Sequence, residues 1–195
     1  MHRPFVSVII PVQNDSERLK FCIKALRDQT YSKDLYEVIV VDNNSDEDIK
    51  GALDEFNGVI LAYEDSPGPA AVRNRGISLA RGDILAFTDS DCIPHNDWIE
   101  KGVMSILGVP DCGMVAGRVE FVFRDPSKPT IYELYDSVVH FQQKLYIETR
   151  RFGVTANLFT FRRVIDDVGG FDSDAFKVAG CEDVDWGWRV FFKRV

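Results

Sequence analysis

Residues Phe5 to Pro11 read FVSVIIP and residues Glu37 to Val41 read EVIVV. Each is an apolar, β-branched run that ends in a polar turn, the pattern of a strand buried on both faces. Between them Leu19, Cys22, Ile23 and Leu26 recur at helical spacing, with Asp15 or Ser16 placed to cap the first turn. Strand, helix and strand in this order make a βαβ unit. The alternation goes on: a helix carrying Ile49, Leu53 and Phe56, a strand Val59 to Tyr63, a helix from about Ala70 to Ala80, and a strand Ile84 to Thr88. The reading is an α/β domain with a mostly parallel central sheet flanked by helices. Ligands of such sheets bind beyond the carboxyl ends of the strands, so the residues just after each strand are the first candidates for a site.

Beyond residue 92 the pattern loosens. It predicts a helix at Trp98 to Leu107, a strand at Met114 to Phe123, and a long amphipathic helix from Thr130 to about Ile147. A short strand near Asn157 to Phe161, a brief helix, a turn at Gly169 to Asp172 and a last helix from about Glu182 follow. The whole of 1–195 reads as one domain, with a binding half over about 1–92 and a second half over about 93–195. The last amphipathic pattern is still running at Val195, so a C-terminal truncation is expected.

Composition narrows the function. The 195 residues are 45% hydrophobic and carry a net charge of −8, against the basic surface that sequence-blind nucleic-acid binding needs. Cys22, Cys92, Cys112 and Cys181 form no C-x-x-C pair, which favours reduced thiols in the cytoplasm. No apolar run approaches the ~20 residues of a membrane span. Gly108 to Gly113 has phosphate-loop spacing without the Lys and Ser or Thr that should follow, and no G-x-G-x-x-G or G-x-S-x-G is present. His2, His95 and His140 lie at no metal-ligand spacing.

The chemistry concentrates in acids. The strand Ile84 to Thr88 delivers Asp89 and Asp91, with Ser90 between them. Two carboxylates about 4 Å apart repel by roughly 4 kcal/mol at an effective dielectric near 20, which favours a shared proton or a cation between them. A hard divalent ion completing its shell with phosphate oxygens fits that need; a simple turn after a strand explains the same spelling. Asp42 also follows a strand directly. Glu182, Asp183 and Asp185 open the last helix, where the helix dipole favours acids by ~0.3–1 kcal/mol each; Glu182 or Asp183 could instead face the crevice as a general base. Arg73 and Arg75 are the candidate cations to offset this charge, as forks onto phosphate or as solvated helix surface.

Taken in order, Val6 to Asn14, Cys22 to Leu26, Gln29 to Tyr31, Glu37 to Asp46, Ala71 to Gly76, Asp89-Ser90-Asp91, Asn157, Val168 to Asp172 and Glu182-Asp183 resemble a family 2 glycosyltransferase of the GT-A fold, inverting and dependent on nucleotide sugars. The resemblance implies that Pro11, Val12, Gln13, Asp15 and Asp42 line the pocket for base and ribose. It places Arg73 near base or phosphates, and Asp89, Ser90 and Asp91 as the D-x-D element. Asp91 would be the more direct ligand of Mn²⁺ or Mg²⁺, with Asp89 nearer the ribose or the metal's waters. Asp183 would be the base, with Glu182 capping the helix or meeting the acceptor. The implied donor is a nucleoside-diphosphate sugar, UDP being the commonest nucleotide. The implied acceptor is a saccharide or lipid-linked hydroxyl in cell-surface polysaccharide or glycolipid synthesis. The expected location is the cytoplasm, with peripheral association at the inner membrane face left open. Asp15 stands where the family often has Glu, and the chain ends before the Q-x-x-R-W element of processive members, so a polymerising synthase is not expected. A non-catalytic nucleotide-sugar binding module is the main alternative. A sugar-1-phosphate nucleotidyltransferase is another, although such enzymes open with a glycine-rich basic loop where this chain has Pro11 to Asp15.

Overall fold

The computed structural model describes residues 3–193; His2 and the expected break at Val195 lie outside the described residues. The elements follow one another as β1 (Val6–Val12), α1 (Ser16–Arg27), β2 (Tyr36–Asp42), α2 (Ile49–Leu53), β3 (Val59–Tyr63), α3 (Pro69–Leu79), β4 (Ile84–Phe87) and α4 (Trp98–Leu107). Then come β5 (Met114–Ala116), α5 (Ile131–Val139), α6 (Gln143–Leu145), β6 (Leu158–Phe161), α7 (Arg162–Val168) and α8 (Glu182–Lys193). They build a six-stranded sheet in the order β3-β2-β1-β4-β6-β5. β1 to β4 are mutually parallel, and β6 runs antiparallel to both β4 and β5. The expected mostly parallel sheet is therefore present. From β1 the chain winds outward through β2 and β3, then returns to lay β4 on the other side of β1. That reversal opens a crevice at the carboxyl ends of β1 and β4, where open α/β sheets take their ligands.

The alternation of side chains along each strand divides the core. Val6, Val8, Ile10 and Val12 of β1 face α1 and α4 with Val38, Val40, Ile84 and Ala86. Ile9, Leu85 and Phe87 face the other side, against α3, α7 and α8. The predicted stripe of α1 is buried as read, Leu19, Cys22, Ile23 and Leu26 all lying inside. Each Leu or Ile so placed is worth about 1.5–3 kcal/mol of transfer free energy. Gly76 lets α3 rest directly on β1: a Cβ there would come 2.4 Å from Ile9 Cγ2.

Two expectations need correction. The strand predicted at Met114 to Phe123 ends at Ala116. Its partner β6 begins at Leu158, opposite Ala116, and the preceding Thr155–Asn157 coils into a 3-10 turn, so the chain past Gly117 has no edge to pair with. The helix predicted from Thr130 to Ile147 starts correctly, with a capping box between Thr130 and Glu133, but stops at Val139. His140 is extended and Phe141 takes φ +56°, after which α6 and a π-helical turn at Tyr146–Arg150 resume. α5 buries none of its residues; Ile131 is 76% and Tyr132 79% exposed.

Candidate active site

A cavity of about 540 Å³ occupies the crevice. Its walls come from the end of β1 (Pro11, Gln13), the entry to α1 (Asp15, Arg18), α3 (Pro69, Arg73), the end of β4 (Asp89, Ser90, Asp91) and the start of α8 (Glu182, Asp183). Phe141, Thr155 and Cys181 contribute to the rest of the wall.

Arg73 ties the two acidic groups together. It projects from α3 with only 4% of its surface exposed, donating from Nη1 to Glu182 Oε1 at 2.8 Å and from Nη2 to Asp89 Oδ1 at 3.1 Å. Its guanidinium carbon lies 5.8 Å from the centre of the Phe171 ring, and its buried Nε has no partner among the described residues. The other oxygen of Glu182 accepts from the Gly180 amide at 2.9 Å. Glu182 is thus held as a structural counter-ion, and Asp183 is the member of the pair left half-buried facing the cavity.

The backbone turns sharply to present them. Gly180 at φ +145° and Cys181 at φ +67° reverse the chain just before α8. A non-glycine residue in the left-handed region costs on the order of 1–3 kcal/mol, a strain that concentrates at functional sites. Burial, and then the neighbouring Glu182 charge, push Asp183 up to about 6, against the opposing pull of Arg73.

On the opposite wall Asp15 caps α1 by position but gives its side chain to the cavity. Oδ1 accepts from Arg18 Nε at 2.6 Å and Oδ2 from Ser90 Oγ at 2.7 Å. Arg18 also reaches Asp91 Oδ2 at 3.4 Å. Asp91 is raised by desolvation and then by the Asp89 charge, as expected of two acids sharing one place. An oxygen of each of these carboxylates and the Cys92 sulfur lie within 4.8 Å of one another. Burial pushes the Cys92 thiol up to about 11, so it is protonated at neutral pH in the metal-free site, and its soft sulfur is ill matched to a hard cation. The oxygen donors fit a hard divalent cation.

The structure brings Pro11, Gln13, Asp15, Arg73, Asp89, Ser90, Asp91, Glu182 and Asp183 to one cavity. Val12 and Asp42 do not line it. They pair in register, Val12 inside the core and Asp42 buried with Oδ1 accepting from the Ser45 amide at 3.1 Å. Gln13 donates to the Asn43 carbonyl at 2.9 Å. Arg75 is exposed and outside the cavity. Arg18, Phe141 and Thr155 were not legible as site residues; the only signal for Arg18 is its i, i+3 spacing from Asp15.

The sequence model of the family described as glycosyl transferase family 2 matches residues 7–170. The chain is 42% identical to glycosyltransferase AglE of Haloferax volcanii over 192 residues, 96% of this chain and 61% of that protein. Among solved structures it is similar to the mannosyltransferase PcManGT of Pyrobaculum calidifontis in complex with GDP-Man and Mn²⁺. There the TM-score is 0.73 at 23% identity, over 95% of this chain and 51% of that one. It is also similar to S. aureus TarS 1-349 in complex with UDP-GlcNAc, with a TM-score of 0.70 at 18% identity over 95% of this chain and 52% of that one. The chain thus spans between half and about three-fifths of the length of these proteins.

Proposed function

The chain belongs to glycosyltransferase family 2 and has the GT-A fold, and from that premise we propose that it transfers a sugar, with inversion, from a nucleoside-diphosphate sugar to an acceptor hydroxyl. The observation that carries this reading is the meeting of Asp89 and Asp91 from β4 with Asp183 from α8 in one cavity at the sheet's switch point.

In this reading Pro11, Gln13 and Asp15 form the wall for base and ribose, with Val12 and Asp42 paired behind it. Asp89 and Asp91 would hold Mn²⁺ or Mg²⁺, which when bound supplies Lewis-acid neutralisation of the diphosphate. Arg73 keeps Asp89 and Glu182 fixed and lowers the negative charge that the donor must approach. Asp183 accepts the acceptor's hydroxyl proton while that oxygen bonds to the anomeric carbon. The bond from that carbon to the diphosphate breaks on the opposite face, its electron pair leaving with the nucleoside diphosphate. A carboxyl raised to about 6 is still ionised at neutral pH and is a stronger base than an ordinary aspartate.

The donor nucleotide is proposed as UDP, since TarS is solved with UDP-GlcNAc, although PcManGT holds GDP-Man. The acceptor is proposed as a saccharide or lipid-linked hydroxyl in cell-surface glycan synthesis on the cytoplasmic side. Among the described residues no helix is long and apolar enough to cross a membrane.

A thermal-shift screen of nucleoside diphosphates and their sugars, each with and without Mn²⁺, tests the reading. A ligand at a hundred times its Kd stabilises by about 2.7 kcal/mol, roughly 5–11 °C for a chain of this size. One nucleotide should do so only with Mn²⁺, and Asp91→Ala should abolish the shift. If no nucleotide stabilises the chain under either condition, the reading fails. Binding without transfer or hydrolysis of a radiolabelled donor would instead favour a non-catalytic binding module.

A further inference from the structure

Five carboxylates line the cavity, those of Asp15, Asp89, Asp91, Glu182 and Asp183, and two arginines accompany them. The arginines are held very differently. Arg73 is buried, with both terminal nitrogens engaged, so displacing it would leave the buried Glu182 carboxylate without its counter-ion. Arg18, in the first turn of α1, has 62% of its side chain exposed. Its Nε is anchored at 2.6 Å on Asp15, whose carboxylate is itself held by Ser90. Its Nη1 only leans on Asp91 at 3.4 Å, beyond the 2.7–2.9 Å typical of a charge-assisted hydrogen bond. One end of the guanidinium is fixed and the other is loose.

We infer that Arg18 is an exchangeable counter-cation: its Nη end neutralises Asp91 when no divalent ion is there, and turns about the Asp15 anchor onto the donor's phosphates when an ion occupies Asp91. The inference rests on the proposed reading of the crevice as a nucleotide and cation site. A divalent ion on Asp91 would repel the guanidinium that leans on Oδ2 at 3.4 Å, so the two cations compete for the carboxylate. Once displaced, a guanidinium pivoting on Asp15 stays within the cavity, where planar recognition of phosphate is its strongest use. Arg18 would thus lower the affinity for the free cation and raise the affinity for the anionic ligand that follows.

These opposite signs make the test specific. Mn²⁺ is titrated into the ligand-free chain by electron paramagnetic resonance. UDP and GDP are then titrated by calorimetry at saturating Mn²⁺. Arg18→Gln should bind Mn²⁺ about threefold to tenfold more tightly, as expected for removing one screened, partly exposed positive charge. It should bind the nucleotide preferred by the wild type about tenfold more weakly. Arg18→Lys, which keeps the charge, should hold Mn²⁺ as the wild type does. A purely structural role would lower the melting temperature of Arg18→Gln without splitting the two affinities. Unchanged or weakened Mn²⁺ binding in Arg18→Gln, in a chain whose wild type binds nucleotide with Mn²⁺, overturns the inference and leaves the reading of the crevice standing. A wild type that binds no nucleotide overturns that reading and this inference with it.

Discussion

Replacing Arg73 with methionine should be among the most damaging single changes available near the cavity. The substitution keeps an unbranched apolar stem against Phe171 and removes the charge that Glu182 and Asp89 share. Asp89 still reaches water, its side chain being 31% exposed, so its loss is mild. Glu182 is buried and would keep only the Gly180 amide. Breaking a buried pair from one side costs about 3–5 kcal/mol, because the remaining charge is uncompensated. The unpartnered Nε of Arg73 disappears with the substitution, returning on the order of 1 kcal/mol. A net loss of about 3 kcal/mol is expected, which at 2–4 °C per kcal/mol means a melting temperature lower by roughly 6–12 °C. Combining it with Glu182→Gln removes the stranded charge while the amide oxygen still accepts from Gly180. The double variant should therefore recover more than half of the loss. Thermal and urea unfolding of wild type, both single variants and the double variant measure this. A single variant within about 1 kcal/mol of wild type, or a double variant no more stable than Arg73→Met, would refute the argument that Glu182 is a buried counter-ion.

Asp183→Asn should pull activity and stability in opposite directions. Removing the proposed base should lower radiolabelled sugar transfer by on the order of 10²–10⁴ while leaving nucleotide binding nearly unchanged. The folded pKa of about 6 exceeds the unfolded value, so the native state holds the extra proton and stability falls as pH rises through that window. Without added metal, the asparagine variant should be the more stable chain above pH 6 by about 1–2 kcal/mol, allowing for solvent screening. That advantage should vanish by pH 4, as read from melting curves across pH. For Gly76→Ala, the helix-propensity gain of about 1 kcal/mol is opposed by the 2.4 Å approach to Ile9, an overpacking cost of about 1–3 kcal/mol. The variant should melt lower than wild type by a few degrees and bind nucleotide at saturating Mn²⁺ more weakly, because α3 carries Arg73 away from Asp89; an unchanged melting curve and affinity would show that β1 yields without moving the helix.

What the sequence disclosed and what it hid follows from the range of the interactions. β1, β2 and β4 are continuous apolar runs and α1 a regular stripe, signals that a short window contains in full. The end of β5 depends on where β6 begins, some forty residues later, and the one local sign, Gly117, is equally compatible with a bulge in a continuing strand. The break at His140 and Phe141 has neither Gly nor Pro to mark it, so periodicity alone reads through it. In the site, Asp89 and Asp91 were legible because two acids follow one strand. Asp42 obeys the same rule, yet its carboxylate accepts the Ser45 amide in its own turn. The pairing of Arg73 with Glu182 spans 109 positions and has no local trace.

That long-range pairing explains how the second half of the chain is delivered to the first. Arg73 and Asn74 are neighbours on α3 and grip different targets. Arg73 holds Asp89 and Glu182, while Asn74 donates to the Phe171 carbonyl at 2.7 Å and accepts from the Phe171 amide at 2.9 Å. The Phe171 ring in turn packs against Phe87 of β4 and Trp186 of α8, its centroid 5.6 Å from each. One turn of α3, pressed onto β1 by the absence of a side chain at Gly76, thereby fixes the end of β4, the turn at Gly169 to Asp172 and the start of α8 relative to one another. Asp183 needs no bond of its own to Asp89 or Asp91 to face them, because the backbone that carries it is clamped to theirs. An error anywhere in that clamp would shift Asp183, the proposed base, relative to Asp89 and Asp91, so substitutions at Asn74 or Phe171 should impair transfer without removing any of the three carboxylates.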